Sequence, residues 1–416
     1  MHVSLTARAT HSRARRFRVD AHAEGPRRLS PLGWTLALSM AVGFVLIGAG
    51  SNDLDAVEAR LGLAAGESFG PIGRAFGGWD PSHAPGAILL TKVWAAMLSP
   101  SHPGPVRWPA ALATVAMGLI VARRVALTLG TRAGVITAFC LFGSLGLIDR
   151  STSLGIDGLT GLMAIGALDR ILSRGSDWVA GVWASMGFLM GGWPVLAVIF
   201  LPLVVMGRSG ATLSARLLIP PIVTFLAWSF WSWRVAPAVA WGAALTLPLT
   251  QGLAWWLPVQ VLLAALPWTP LALLALWPGV RLGWGPQGNH MVRTWFSIAV
   301  ASLLAGTLIP GLATPARLVA LVGLLVITAA SLDRLWAGLG LNLPHRAFSL
   351  VTVLLCVTWG LAASAVGVYL TAALPYYRPP AIALMVIGPI VITSAIAAAL
   401  QRQHKAAITA IWLAML

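Results

Sequence analysis

The stretch SNDLDAVEARLGLAAGESFGPIGRAFGGWDPSHAPGAILLTK, Ser51 to Lys92, decides how the rest of the chain is read. It follows the first long apolar run and holds Asp53, Asp55, Glu58, Glu67 and Asp80, in a chain with only 12 acidic residues. Its end opens a second apolar piece, Gly86 to Leu98, which is short for a membrane span and carries Lys92. Read as a helix lying on the outer membrane face, that piece leaves a long outer loop over residues 51–106. Read as a span, it would move every later loop to the other side.

The rest of the chain settles the class. Hydrophobic residues make up 58% of the sequence and charged residues 10%, with a mean hydropathy of +0.83. A soluble domain carries about 25% charged residues. Apolar runs of the length that crosses about 30 Å of hydrocarbon as helix recur from end to end. They are continuous, which points to helices and away from a barrel. The expected fold is therefore all-α, a polytopic transmembrane helical bundle of about 12–13 spans with periplasmic juxtamembrane helices. The net charge of +16 does not imply a nucleic-acid partner, because the basic residues are dispersed between apolar runs. In that setting they orient the chain and meet anionic headgroups. Cys140 and Cys356 both lie inside apolar runs and imply neither a disulfide nor a metal framework.

Residues 1–30 are Arg-rich and polar and read as a disordered basic cytoplasmic tail. Residues 31–416 form the transmembrane domain. A first span from about Leu32 to Gly50 runs outward. The second, Trp108 to Ala122, runs inward to Arg123, Arg124 and Arg132. Val135–Ile148 returns outward and Leu159–Leu172 goes in, to Arg170 and Arg174. Val179–Gly191 comes out to a tight turn at Gly192-Trp193-Pro194, and Val195–Met206 goes in. Leu217–Trp233 comes out, Leu257–Leu276 goes in, Trp295–Ile309 comes out and Arg317–Ser331 goes in. Further spans follow to the end of the chain. On this path most of the 28 basic residues fall on the cytoplasmic side, as the positive-inside rule requires.

Acidic residues show the opposite bias, and carboxylates contribute little to topology. Outer-face chemistry is one cause. Asp53 and Asp55 sit just past the first span, where they serve as a helix cap and first-turn charge, or as a general base or metal ligand with a pKa raised by apolar surroundings. Asp149, Arg150 and Asp157 form a second outer group, with Asp157 at the N-cap of the next span and Asp149 and Arg150 at the membrane edge, where they could hold a charged headgroup. Trp79-Asp80-Pro81-Ser82-His83-Ala84-Pro85 is a third, in which the prolines fix an extended entry to the surface helix. Lys92, Arg150, Arg234, Arg317 and Arg378 are outer cations, placed to snorkel or to bind a phosphate brought by a lipid-linked substrate. Trp228, Trp231, Trp233, Trp241, Trp255 and Trp256 gather near the outer boundary as an aromatic belt.

The order of these pieces resembles the polytopic, lipid-dependent glycosyltransferases of the GT-C class. The nearest in pattern are the aminoarabinose transferases that modify lipid A and the protein O-mannosyltransferases. The matching pieces are Asp53-Leu54-Asp55 after the first span, His83-Ala84-Pro85, Arg107-Trp108-Pro109-Ala110-Ala111, the basic turn Arg123-Arg124 through Ala133-Gly134, Gly155-Ile156-Asp157-Gly158 and Leu266-Pro267-Trp268. The outer turn Gly191-Gly192-Trp193-Pro194 lacks the lysine of the family's pattern, and Ala313-Thr314-Pro315-Ala316 lacks a lysine and a histidine.

The resemblance implies an inverting glycosyltransferase of the bacterial cytoplasmic membrane, with a cytoplasmic N-terminus and a polyprenyl-phosphate sugar as donor. Asp53 or Asp55 would activate the acceptor hydroxyl, with or without a divalent metal (Mg, Mn or Zn). Asp157 would position a substrate or, with Asp53, a metal. Asp80, His83, Lys92, Asp149, Arg150 and Arg317 would bind substrate, with Lys92, Arg150 or Arg317 on the donor phosphate. Its partners would be the lipid-linked donor and membrane lipids, and no nucleic acid. A second class fits the same residues: a non-catalytic relative, a lipid-binding subunit or a transporter. The nearly charge-free span centres argue against ion-coupled transport.

Overall fold

The computed structural model describes residues 103–337 apart from 145, 148–156, 174, 207–213, 236–252, 267, 277–279 and 281–283; beyond that block it describes only isolated positions in 35–43, residue 86 and isolated positions in 353–397. All regular structure among the described residues is helical. The order is α1 (Pro103–Leu129), α2 (Thr131–Phe142), α3 (Asp157–Leu172), α4 (Asp177–Gly191), α5 (Trp193–Met206) and α6 (Ala215–Val235), then α7 (Leu257–Ala264), α8 (Thr269–Ala272), α9 (Gly285–Leu308) and α10 (Ala313–Ala337). Short 3-10 turns at Leu273–Leu276 and Pro310–Leu312 extend α8 and join α9 to α10.

Trp108–Leu129, Gly285–Leu308 and Ala313–Arg334 are each long and apolar enough to cross a membrane. Thr131–Phe142, Trp193–Val205 and Ala215–Phe230 are shorter apolar helices. The protein is a polytopic helical membrane bundle.

Hydrocarbon gives apolar helices no reason to leave lipid for one another, so close backbone approach at small residues must supply much of the packing. Such approaches recur here. A Cβ on Gly134 of α2 would lie 2.6 Å from the Ala126 Cβ and 2.8 Å from the Ala122 carbonyl oxygen of α1. Gly118 of α1 faces the Phe142 ring, and Gly166 of α3 faces the Trp183 indole of α4. Gly181 of α4 backs onto the Leu217 carbonyl and Pro220 of α6, and Gly323 of α10 onto the Trp295 carbonyl of α9. Higher on the α4–α6 seam, Phe188 meets Phe225 and Trp228 edge-on, at centroid distances of 5.8 and 5.7 Å. Two turns need glycine outright: Gly130 between α1 and α2, with φ 104°, and Gly192 between α4 and α5, with φ 71°.

These contacts fix the helix directions and sort the charges. At one end, here the lower, the Arg124 Nη2 of α1 donates to the Leu172 carbonyl of α3 at 2.7 Å, and its Nε lies 3.9 Å from Asp169 Oδ1. Arg132 Nε of α2 meets Asp333 Oδ1 of α10 at 2.6 Å. Trp284 Nε1 donates to the Ala330 carbonyl at 3.1 Å, and Ser214 Oγ to Asp177 Oδ2 at 2.5 Å. The upper end holds the beginnings of α1, α3, α5 and α10 and the ends of α2, α4, α6 and α9. The alternation read from the sequence is therefore the observed one, with Arg123, Arg124, Arg132, Arg170, Arg216, Arg293 and Arg334 toward the lower end.

The Arg132–Asp333 pair joins helices far apart in sequence, and Asp333 is only 4% exposed. Arg132→Ala leaves that carboxylate without its closest cation. Because Arg132 itself is half exposed, the expected loss is about 1–3 kcal/mol, below that of a fully buried pair. Thermal unfolding of the purified chain in detergent measures it.

One expected span is corrected. Leu257–Leu276 is not a single helix. It breaks after α7, and Leu266 closes a turn by donating its N–H to the Leu263 carbonyl. Pro267 supplies no N–H to carry the helix through. α7 lies across the upper end: Leu257 packs on Gly306 of α9, and Ala264 packs on Gly146 beyond α2. Leu257, Val261 and Ala264 are buried, while Trp255, Trp256, Val259, Leu262 and Leu263 are exposed. Trp268 then enters the core, fully buried and edge-on to Phe139 with ring centroids 5.6 Å apart. α9 also begins earlier than its apolar run, because Gly285–Arg293 continues the helix through polar residues.

Candidate functional site at the upper end of the bundle

α3 begins at Asp157, whose carboxylate in the first turn is favoured by the helix macrodipole. The Thr160 hydroxyl donates to the Asp157 main-chain carbonyl at 3.0 Å, tying off that turn. The next residue, Gly158, sets the depth. A Cβ there would lie 2.6 Å from the Ala110 carbonyl oxygen and 2.7 Å from the Thr114 Oγ1. Ala110 is two turns into α1, so Asp157 is recessed about 10 Å below the start of that helix. Its side chain is partly exposed.

Gly161, one turn on, faces the Leu318 side chain of α10 and Met117 Sδ of α1. Leu318 follows Arg317 directly, so the first turn of α3 and the first turns of α10 meet. This is how the fold brings Asp157 and Arg317, 160 positions apart in sequence, to one end. Other expected elements converge there. A Cβ on Gly191 would lie 2.5 Å from both Thr160 Cγ2 and Val195 Cγ2, which places the Gly191-Gly192-Trp193-Pro194 turn beside Asp157. Gly86, which follows His83-Ala84-Pro85, is helical and backs onto the Leu189 carbonyl of α4; a Cβ there would lie 2.8 Å from that oxygen. Gly146, beyond α2, packs against Ala264 and Leu321.

Asp53, Asp55, Asp80, His83, Lys92, Asp149 and Arg150 lie outside the described residues, as do residues 1–30 and the loop from 51 to 102 except Gly86. Of the expected site residues, Asp157 and Arg317 are the two that are described. No group of three or more His, Cys, Asp or Glu gathers among the described residues. Asp157 is the one described member of the expected metal pair, and one carboxylate does not make a metal site.

Sequence reasoning quoted Gly158 only as part of a motif, without its packing role, and missed Gly161 and Thr160. Their signal was present: small residues directly after Asp157 and one turn on, the spacing that lets two helices approach. It also missed the Arg124–Asp169 and Arg132–Asp333 pairs, because partner choice across many intervening residues leaves no local trace.

No family model matches the chain, and no curated protein matches it in sequence. Among solved structures it is similar to ArnT from Cupriavidus metallidurans bound to undecaprenyl phosphate. The TM-score is 0.66 at 15% identity, covering 93% of this chain and 76% of that one. It is similar to the same protein in the apo state, with a TM-score of 0.64 at 14% identity, covering 92% and 76%. ArnT is a lipid A aminoarabinose transferase with the GT-C fold, and this chain is a divergent example of that fold.

Proposed function

We propose that the protein is a membrane glycosyltransferase that moves a sugar from a polyprenyl-phosphate donor to a hydroxyl of a lipid, glycan or protein. The observation that carries this reading is the shared fold over 93% of the chain with a structure that holds undecaprenyl phosphate. It is supported by Asp157 and Arg317, brought to one recessed end of an otherwise apolar bundle.

The reaction needs three things there. A carboxylate, Asp53 or Asp55, takes the proton of the acceptor hydroxyl as its oxygen forms a bond to the sugar's anomeric carbon. The bond from that carbon to the phosphate oxygen breaks in the same displacement, inverting the centre and releasing polyprenyl phosphate. A cation must then hold the charge that grows on the leaving phosphate. Arg317, Arg150 or Lys92 supplies it, and a guanidinium does so with a fork matched to two phosphate oxygens. Asp157 orients the sugar or acceptor, with Asp80, His83 and Asp149 as further contacts. If the reaction uses a divalent cation, Asp157 with Asp53 would hold it, and it would supply positive charge to stabilise the leaving phosphate. Chemistry at this end would let the donor's prenyl tail stay in lipid while its phosphate reacts. The upper end faces the periplasm, the N-terminus is cytoplasmic, and the chain resides in a bacterial cytoplasmic membrane.

The test is release of polyprenyl phosphate from a lipid-linked sugar by the purified full chain. Asp53→Asn and Asp55→Asn are compared with wild type, and loss in at least one is expected. Arg317→Gln is expected to slow release by about a hundredfold, the scale of losing one preorganised charge contact at a transition state. Arg317→Lys should recover part of that loss. Turnover equal to wild type in all variants, or none in wild type with any lipid-linked sugar, favours the non-catalytic relative.

A further inference from the structure

The lower end carries a second charged constellation that the transfer reaction does not use. Arg123 and Arg124 are consecutive on α1, and Asp169 and Arg170 are consecutive on α3. The two helices run side by side in the same direction, from the Ala110–Gly158 approach above to the Arg124–Leu172 hydrogen bond below. Arg124 and Asp169 turn toward each other across the seam. A helix rotates about 100° per residue. On parallel helices, the residue before Arg124 and the residue after Asp169 therefore swing to the same side of that seam. Those residues are Arg123 and Arg170, and both are exposed.

The charges do not balance. α1 carries no acidic residue, and Asp169 is the one acidic residue in the lower half of α3. One carboxylate offers a single negative charge to three guanidinium groups, and Arg124 is the one that reaches it. The surroundings are apolar as well. Leu112 and Leu127, the latter 63% exposed, lie on the Arg123 face of α1, above and below it. Arg123 is about 22 Å along the helix from Trp108, less than the roughly 30 Å of a hydrocarbon core. An exposed cation at that depth either snorkels to the interface or pairs with an anion that brings its own apolar flanks.

We propose that Arg123 and Arg170 form a binding site for the phosphate of an anionic phospholipid, with the lipid's chains lying along the Leu112–Leu127 face of α1. Two guanidinium groups on one side of a seam provide charge-assisted hydrogen bonds to a phosphodiester, with the Arg124–Asp169 pair as the fixed wedge between them. A free phosphate shares the headgroup chemistry, but it gains nothing from the leucines.

The full chain, reconstituted in mixed phosphatidylcholine and phosphatidylglycerol, is analysed by native mass spectrometry for the lipid it retains. Wild type is expected to retain phosphatidylglycerol about tenfold over its share of the mixture. R123Q/R170Q is expected to lose that preference, Arg293→Gln, at another exposed lower-end cation, to keep it, and added inorganic phosphate to leave the bound lipid in place. Equal uptake of both lipids by wild type overturns the proposal without any variant. Unchanged preference in R123Q/R170Q, equal loss in Arg293→Gln, or displacement by inorganic phosphate also overturns it.

Discussion

Asp157→Asn is expected to lower release of polyprenyl phosphate from a lipid-linked sugar by about a hundredfold or more, while changing the stability of the chain by less than about 1 kcal/mol. The two effects separate because of what the substitution leaves in place. Asparagine is the same size, and the Thr160 hydroxyl bonds the main-chain carbonyl of residue 157, which is unchanged. Gly158 still seats α3 against Ala110. What disappears is the negative charge, and with it a small macrodipole term. If the carboxylate orients a sugar or an acceptor beneath the donor phosphate, losing it misplaces the reacting atoms, and small misplacements cost about two orders of magnitude. If Asp157 only opens a helix, turnover stays near wild type. Product release and thermal unfolding, measured on the same preparation, distinguish the two.

A larger effect on the fold is expected from a single methyl group. Gly158→Ala puts a Cβ 2.6 Å from the Ala110 carbonyl oxygen and 2.7 Å from Thr114 Oγ1. Ala110 is helical backbone, and the Thr114 hydroxyl is itself bonded to the Ala110 carbonyl at 2.8 Å, so neither yields without moving α1. The expected cost is about 2–3 kcal/mol, that of overpacking a well-filled seam, and the outward shift of α3 carries Asp157 with it. Activity should therefore fall in Gly158→Ala although every charged group is intact. Gly161→Ala is the contrasting case. Its nearest neighbour is the far end of the Leu318 side chain, which can change rotamer, so the expected loss is under about 1 kcal/mol. Thermal unfolding of the two variants checks the ordering. Equal losses would mean that α1 can give way at Ala110.

Much of this architecture was legible in the sequence because a bilayer imposes a length on apolar runs and a side on arginines. The alternation of α1 through α6, and of α9 and α10, follows from those two rules. Hydropathy marks only the portion of a helix that meets hydrocarbon, however. It therefore missed the polar start of α9 at Gly285 and ended the second span at Ala122, whereas α1 continues past Arg123 and Arg124 to Leu129. It also merged α7 with the segment after Trp268, since the break at Leu266 lies inside one uninterrupted apolar run. In the candidate site, Asp157 and Arg317 were singled out as charges on the outer face. The glycines that bring their helices together were not, because a small residue's partner is visible only in three dimensions.

The central claim is that a polyprenyl phosphate seats its headgroup at the recessed upper end, between the first turns of α3 and α10. Photo-crosslinking with an undecaprenyl phosphate analogue, reactive next to its phosphate, tests this most directly. The expected result is labelling of peptides containing Asp157–Gly161 and Ala313–Leu318, abolished by excess undecaprenyl phosphate and weakened in Arg317→Gln. Labelling confined to peptides around Arg124 and Asp333, or labelling that undecaprenyl phosphate does not displace, would contradict it.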